Sequence, residues 1–413
     1  MRVPYDPRLP LDGLTRRTFL ACSGATGATA VLAGAAGCSW QDVKRQATEN
    51  PLPTGTPVLV VITLYGGNDG LNTLVPYADK AYHDARPGLA YTADEVLKLD
   101  DTFGLNPGLE GWHRLWQDRK LAVVRGIGYP NPDRSHFRSM DIWQTASPGT
   151  PATSGWIGRW LDTQQNPDPL LALSIGPTLP VLALGEKRTA AALSIKESTG
   201  VPLESAIADL GKPDPGDTAA AAEVARSYAA LGRVRDDVVD HLKDVPLHDE
   251  VEGDQSLLGQ LQVVAKCILL GAPTRAYSVS LGGFDTHGDE LTTQTAQLRT
   301  LDSAVVAFRK ALADSPRAAD VTILVYSEFG RRVRANASEG TDHGTAGDLF
   351  LIGDRVKPGY HGDAPSLTDL DPNGDLKSTT DFRSVYAEVV ATVLGGDPEQ
   401  IIGKGPAPLG VLA

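Results

Sequence analysis

Residues Val58-Leu59-Val60-Val61-Ile62-Thr63-Leu64-Tyr65, running into Gly66-Gly67-Asn68-Asp69-Gly70, set the fold class of this chain. An unbroken apolar run rich in β-branched residues marks a strand buried on both faces, and the polar, glycine-rich cluster after it marks a loop. The same pairing recurs three times. Leu121–Ile127 leads into GYPNPD (128–133) and a helical pattern from Ser135 to Ala146, Ala276–Leu281 into GGFD (282–285), and Val321–Tyr326 into SEFG (327–330). Further helices are expected at Ala219–Leu242, Gln255–Leu270, Gln297–Ala313 and Asp381–Leu394. This alternation predicts an α/β fold, a largely parallel central sheet with helices on both faces. The Ala-rich, charged stretch from about Gly200 to Glu250 carries no strand signal and reads as a helical excursion beside the sheet.

The N-terminal region has a different grammar. Thr15-Arg16-Arg17-Thr18-Phe19-Leu20 precedes a weakly apolar run from Ala21 to Gly37, the order of a twin-arginine export signal. That run is too short and glycine-rich for a permanent span, which takes about 20 strongly apolar residues. The expected organisation is a signal over 1–38 read by the twin-arginine translocase, a linker over 39–57, and one domain over 58–413. The mature protein is therefore expected outside the cytoplasm. Ala35-Ala36-Gly37-Cys38 resembles a lipobox with Cys38 as lipid attachment, while Ala33 and Ala35 equally permit ordinary cleavage. Anchored and free products both stay open.

Composition narrows the partners. Formal charge is -13, with 51 acidic against 38 basic residues, which argues against a nucleic-acid-binding face. Of three cysteines, Cys22 and Cys38 lie in the signal, leaving Cys267 in an apolar helical pattern. A thiolate metal cluster is excluded, and Cys267 reads as a small core residue.

In an open parallel sheet, ligands bind beyond the carboxyl ends of the strands. There the sequence places Asn68-Asp69, then Arg134-Ser135-His136 with Ser139, then Asp285-Thr286-His287, then Ser327-Glu328 with Asp342-His343 downstream. Converging carboxylates and imidazoles suit a divalent metal. Asp285 and His287, two apart in an extended segment, face one side and can reach one ion. Bland readings compete with each: a turn residue for Asp69, a helix-dipole carboxylate for Glu328, an N-cap for Ser135. Ser135 is the expected nucleophile with His136 as neighbouring acid, base or ligand, and Ser139 is the competing nucleophile. Asp371–Asp375 begins like a calcium loop, but Leu376 and Phe382 stand where Gly and Glu belong.

The segments LYGGNDGLN, FGLNPGL, GIGYPNPDRSHFRSMDIWQTA, LGGFDTHG, SEFGRRVRANAS, GTDHGTAG and TDFRSVYAEV together resemble the bacterial DUF1501 proteins, from about Val58 to Leu412. That family is similar to the alkaline phosphatase–sulfatase superfamily of metal hydrolases. The resemblance implies an alkaline-phosphatase-like fold, with Asp69 as first metal ligand and Ser135 as nucleophile. Asp285 with His287 would be a later ligand pair, Glu328 would fall where an Asp-His pair lies, and His343 with Asp342 would supply the last histidine. Two departures, the close spacing of Asp285 and His287 and Glu328 itself, put a two-zinc set in doubt. Zinc, calcium, magnesium or manganese all remain candidates. The expected function is an exported, metal-dependent hydrolase of small anionic phosphate or sulfate esters. The alternative is a non-catalytic cell-surface binding or scaffold protein on the same fold.

Overall fold

The computed structural model describes Cys38 and residues 40–165, 168–176, 179–193 and 256–413. The expected signal upstream of Cys38, the helix at Ala219–Leu242 and the excursion around it lie outside the described residues. Among the described residues, nine strands form the main sheet: β1 (Val58–Leu64), β2 (Leu121–Gly128), β3 (Ala172–Ile175), β4 (Ala191–Leu193), β5 (Ala276–Leu281), β6 (Val321–Ser327), β7 (Gly347–Gly353), β8 (Gly359–His361) and β9 (Thr380–Asp381). Their order is β8-β2-β7-β6-β1-β5-β3-β4, with β9 also paired to β2. Every pairing is parallel except those of β7, which runs antiparallel between β2 and β6. The largely parallel sheet is as expected; the antiparallel β7, in GDLFLIG, carried no sequence expectation.

The apolar run Val58–Leu64 is the centre of the sheet. All seven residues of β1 are buried, and successive side chains enter opposite layers. On one side, Trp143 of α1 (His136–Thr145), Trp156 and Trp160 of α2 (Trp156–Thr163), and Phe382 and Tyr386 of α5 (Phe382–Val389) pack in one core with Leu59 and Val61. On the other, Val58, Val60 and Ile62 join Leu261, Val264 and Ile268 of α3 (Ser256–Leu270) and Leu298, Leu301 and Val305 of α4 (Glu290–Leu312). A π-helical turn, Val390–Leu394, continues α5, where one longer helix was expected. Helix α4 begins at Glu290, ahead of the expected start at Gln297. Its first turns, ELTTQTA, are polar and offer no apolar stripe, yet Glu290 and Gln294 are buried there. Among the described residues, no helix is long and apolar enough to cross a membrane.

Candidate metal centre

Three loops meet at the carboxyl edge of the central strands, and glycines let them approach. The loop after β1 passes so close to the loop after β5 that a Cβ on Gly66 would lie 2.4 Å from the Asp285 amide nitrogen. Gly67, at φ +71°, would drive a Cβ into the Phe329 ring. Arg331, almost wholly buried, ties the loops together. Its Nε donates to Gly67 O (2.7 Å) and its Nη1 to Thr341 O (2.9 Å). Its Nη2 donates to Gly66 O, to Phe284 O (3.0 Å) and to Asp285 Oδ1 (2.7 Å). A hairpin, Arg331–Ala335 with Thr341–His343, then pairs Arg331 opposite His343.

At this junction His136, Asp285 and His343 bring three potential metal-donor atoms together. His136 Nε2 lies 3.0 Å from His343 Nε2 and 3.5 Å from Asp285 Oδ1, and His343 Nε2 lies 3.1 Å from the same oxygen. The other ring nitrogens decide the tautomers. His343 Nδ1 sits 2.9 Å from Arg134 O, a carbonyl that can only accept, so Nδ1 carries the proton and Nε2 a lone pair. His136 Nδ1 sits 2.8 Å from Glu328 Oε1 and is anchored likewise. Glu328, buried, takes further bonds from the Gly66 amide and the Ser327 hydroxyl, both at 2.9 Å. Three electron-pair donors thus face one another. Their separations match the edge of a tetrahedral site with metal bonds of about 2.0–2.1 Å, which is about 3.3 Å. Imidazoles oriented by a carboxylate and a carbonyl behind them are the usual support of such ligands.

Electrostatics favour the assigned forms of Asp285 and His343 and pull the other way at His136. Burial works to raise the Asp285 carboxyl, but the Arg331 guanidinium outweighs it and holds the pKa at about 2. The bond to Glu328 raises the His136 pKa, whereas burial lowers that of His343.

His287 meets the Asp285–His343 edge at 3.0 Å from each, and its Nδ1 lies 3.3 Å from Asp342 Oδ1. The sequence pattern makes His287, Asp342 and Glu328 ligands and leaves His136 open as acid, base or ligand. The geometry puts His136 in the donor triangle, Glu328 behind it, and the His287–Asp342 pair beside it. Asp69 does not join the group. It is fully buried and gripped by Arg86, whose Nη2 lies 2.9 Å from Asp69 Oδ1, with Glu290 alongside. Burial opposes ionisation of Asp69, and the Arg86 charge overcomes it, so its pKa is lowered. Ser135 occupies the N-cap position of α1, yet its side chain makes no cap bond and the residue is exposed. Ser139 is buried between Tyr129 Oη (2.8 Å) and Glu328 O (2.5 Å), which removes it as a competing nucleophile. Cys38, the expected lipid site, is buried with its Sγ 3.7 Å from Ala192 O. Sequence reasoning misses Arg331, Arg86 and Glu290. Only Arg331 carries a signal, a basic pair directly after the β6 loop.

The family model described as "Protein of unknown function (DUF1501)" matches residues 130–379, more than half of the chain. No curated protein matches the sequence. Among solved structures the chain is similar to Ps i-CgsB in complex with k-i-k-neocarrahexaose, at 10% identity over 86% of this chain and 75% of that one, TM-score 0.42. It is similar to a protein in the alkaline phosphatase superfamily from Vibrio parahaemolyticus, at 11% identity over 89% and 78%, TM-score 0.41. It is also similar to the C-terminal periplasmic domain of EcEptC from Escherichia coli, at 12% identity over 86% and 88%, TM-score 0.38.

Proposed function

The chain belongs to the DUF1501 family, and from that premise we propose that it is a metal-dependent hydrolase of phosphate or sulfate esters. One observation carries the reading: the Nε2 lone pairs of His136 and His343 and the Asp285 carboxylate converge while both Nδ1 protons are committed elsewhere. Two imidazoles and one carboxylate leave room for exchangeable ligands, the pattern of catalytic rather than closed structural sites. With nitrogen in the majority, the set suits zinc better than calcium, magnesium or manganese. A bound ion supplies charge neutralisation of the ester oxyanion and a lowered pKa for a hydroxyl it contacts.

The chain's own residues supply the rest. Ser135, exposed and directly before His136, is the nucleophile, at the N-terminus of a ten-residue helix whose first amides favour an anion. His287, with Asp342 at its Nδ1, moves the proton of the leaving oxygen. Glu328 and Arg331 orient His136 and Asp285. The twin-arginine signature supports action outside the cytoplasm, and the burial of Cys38 favours a free over a lipid-anchored chain there.

Metal analysis and an aryl phosphate and aryl sulfate assay test this together. Wild type should hold one ion per chain and turn over ester; His343→Ala should lose the ion; Ser135→Ala should keep it and lose at least about 100-fold in rate. Folded protein without stoichiometric metal would sink the mechanism. It would favour a second proton on His136, the group whose pKa Glu328 raises, as what reconciles the facing rings. Metal with no ester turnover would favour the binding or scaffold alternative.

A further inference from the structure

The loop Asp371–Asp375 closes on itself: Asp371 Oδ1 accepts from the amides of Asn373 and Asp375, both at 2.8 Å. It thereby delivers the Asp375 side chain, fully buried, between two arginines. Arg134 Nε lies 3.3 Å from Asp375 Oδ2 and Arg332 Nε lies 3.2 Å from Oδ1. Neither carboxylate oxygen receives a well-directed hydrogen bond from the described residues. Burying such a group is costly, and its visible effect is to hold two like charges side by side. Both arginine side chains remain about one-third exposed, at 34% and 36%. Apart from one bond from Arg332 Nη2 to Asn373 O at 3.2 Å, their Nη groups make no hydrogen bond among the described residues. Arg334 follows two residues after Arg332, on the same face of the strand, exposed and without an ion-pair partner among the described residues. Arg134 and Arg332 outnumber the carboxylate between them by one charge.

Their position ties them to the centre described above. Arg134 offers its own carbonyl to His343 Nδ1, and Arg332 follows Arg331, the residue paired across the hairpin with His343. On a chain of net charge -13, the uncommitted Nη donors of Arg134 and Arg332 offer charge-assisted contacts to an anion near that centre.

We propose that Arg134, Arg332 and Arg334 bind a second tetrahedral oxyanion of the ligand, so that the substrate class is an ester bearing a further phosphate or sulfate beyond the reacting one. This rests on the metal-hydrolase reading for the reacting group but not for the arginine site itself. Guanidinium is suited to the task because its fork of N–H donors matches a tetrahedral oxyanion bidentately.

Calorimetric titration with phenylphosphonate and with 1,3-phenylenediphosphonate, neither of which is hydrolysed, reads the site directly. Wild type should bind the diphosphonate about ten-fold more tightly or better, as expected for one added charge-assisted contact. In the double variant Arg332→Gln, Arg334→Gln that advantage should fall to about two-fold or less with metal content unchanged, while the melting temperature drops as buried Asp375 loses one of its two partners. Equal affinity of wild type for the two ligands overturns the proposal, as does an advantage that survives the double variant. A melting temperature that drops while the advantage persists assigns the cluster a structural role only. Protein without metal that still prefers the diphosphonate, and loses the preference in the double variant, keeps the arginine site and removes the hydrolase reading.

Discussion

Two polar groups sit side by side at one sheet edge, and the chain treats them in opposite ways. The sealed group holds Asp69, Arg86 and Glu290, each with no exposed surface, with Asn72, Gln294 and Thr341 around them. The open group holds His136, Asp285, His287 and His343, whose side chains are partly exposed, Asp285 to 49%. The same segments feed both. The loop after β1 sends Asp69 inward and the Gly66 amide toward Glu328; the strand Thr341–His343 bonds Glu290 through Thr341 and contributes His343 to the open group. In the sealed group the balancing cation is a side chain, Arg86. In the open group the donors face one another, and on our reading the balancing cation comes from solution. A fixed guanidinium makes a site rigid and inert, whereas facing lone pairs make one that takes a ligand.

The largest expected effect falls on the sealed side. Arg86→Ala strands the Asp69 carboxylate in the interior and should cost about 3–5 kcal/mol, measured by urea unfolding. A loss under about 1 kcal/mol would erase the distinction, because that is the scale of an exposed pair. On the open side, Glu328→Gln keeps the shape behind His136 but removes its charge. Metal affinity, read by competition with a chelator, should weaken about 10–100-fold, and an unchanged affinity would detach Glu328 from the centre.

The smallest effect is one of slope. Burial, reinforced by the neighbouring Asp69 charge, raises the Glu290 pKa from 4.5 to about 9. Between those values the folded chain keeps a proton that the unfolded chain has released, so stability must fall as pH rises through that window. Its contribution is fully present below the unfolded value and gone above the folded one. Glu290→Gln should flatten this dependence in urea midpoints taken at several pH values. A slope identical to wild type would move the proton to another group.

Much of this architecture is legible in the amino-acid sequence. The apolar runs of β1, β2, β5 and β6 lie within a residue or so of their expected bounds, because burial on both faces leaves a local imprint. Asp285, His287, Glu328 and His343 are marked by their places after strands, and the fold gathers all four. Helix α4 extends further toward the N-terminus than periodicity predicts. Its first turns bury Glu290 and Gln294 against polar partners, which leaves no apolar period to read. Strand β7 escapes the pattern because its antiparallel insertion follows no strand-loop-helix cycle.

The order of residues is enough for the α/β class and for which strand ends carry imidazole and carboxylate, since periodicity and loop chemistry are properties of chain neighbours. Which of those groups share a site is settled in the folded chain alone. His136 meets His343 across 207 positions and Glu328 across 192, while Asp69 is claimed by Arg86 from the end of the short helix Lys80–Ala85. Partner choice depends on desolvation and distance after folding, and neither leaves a local trace in the sequence.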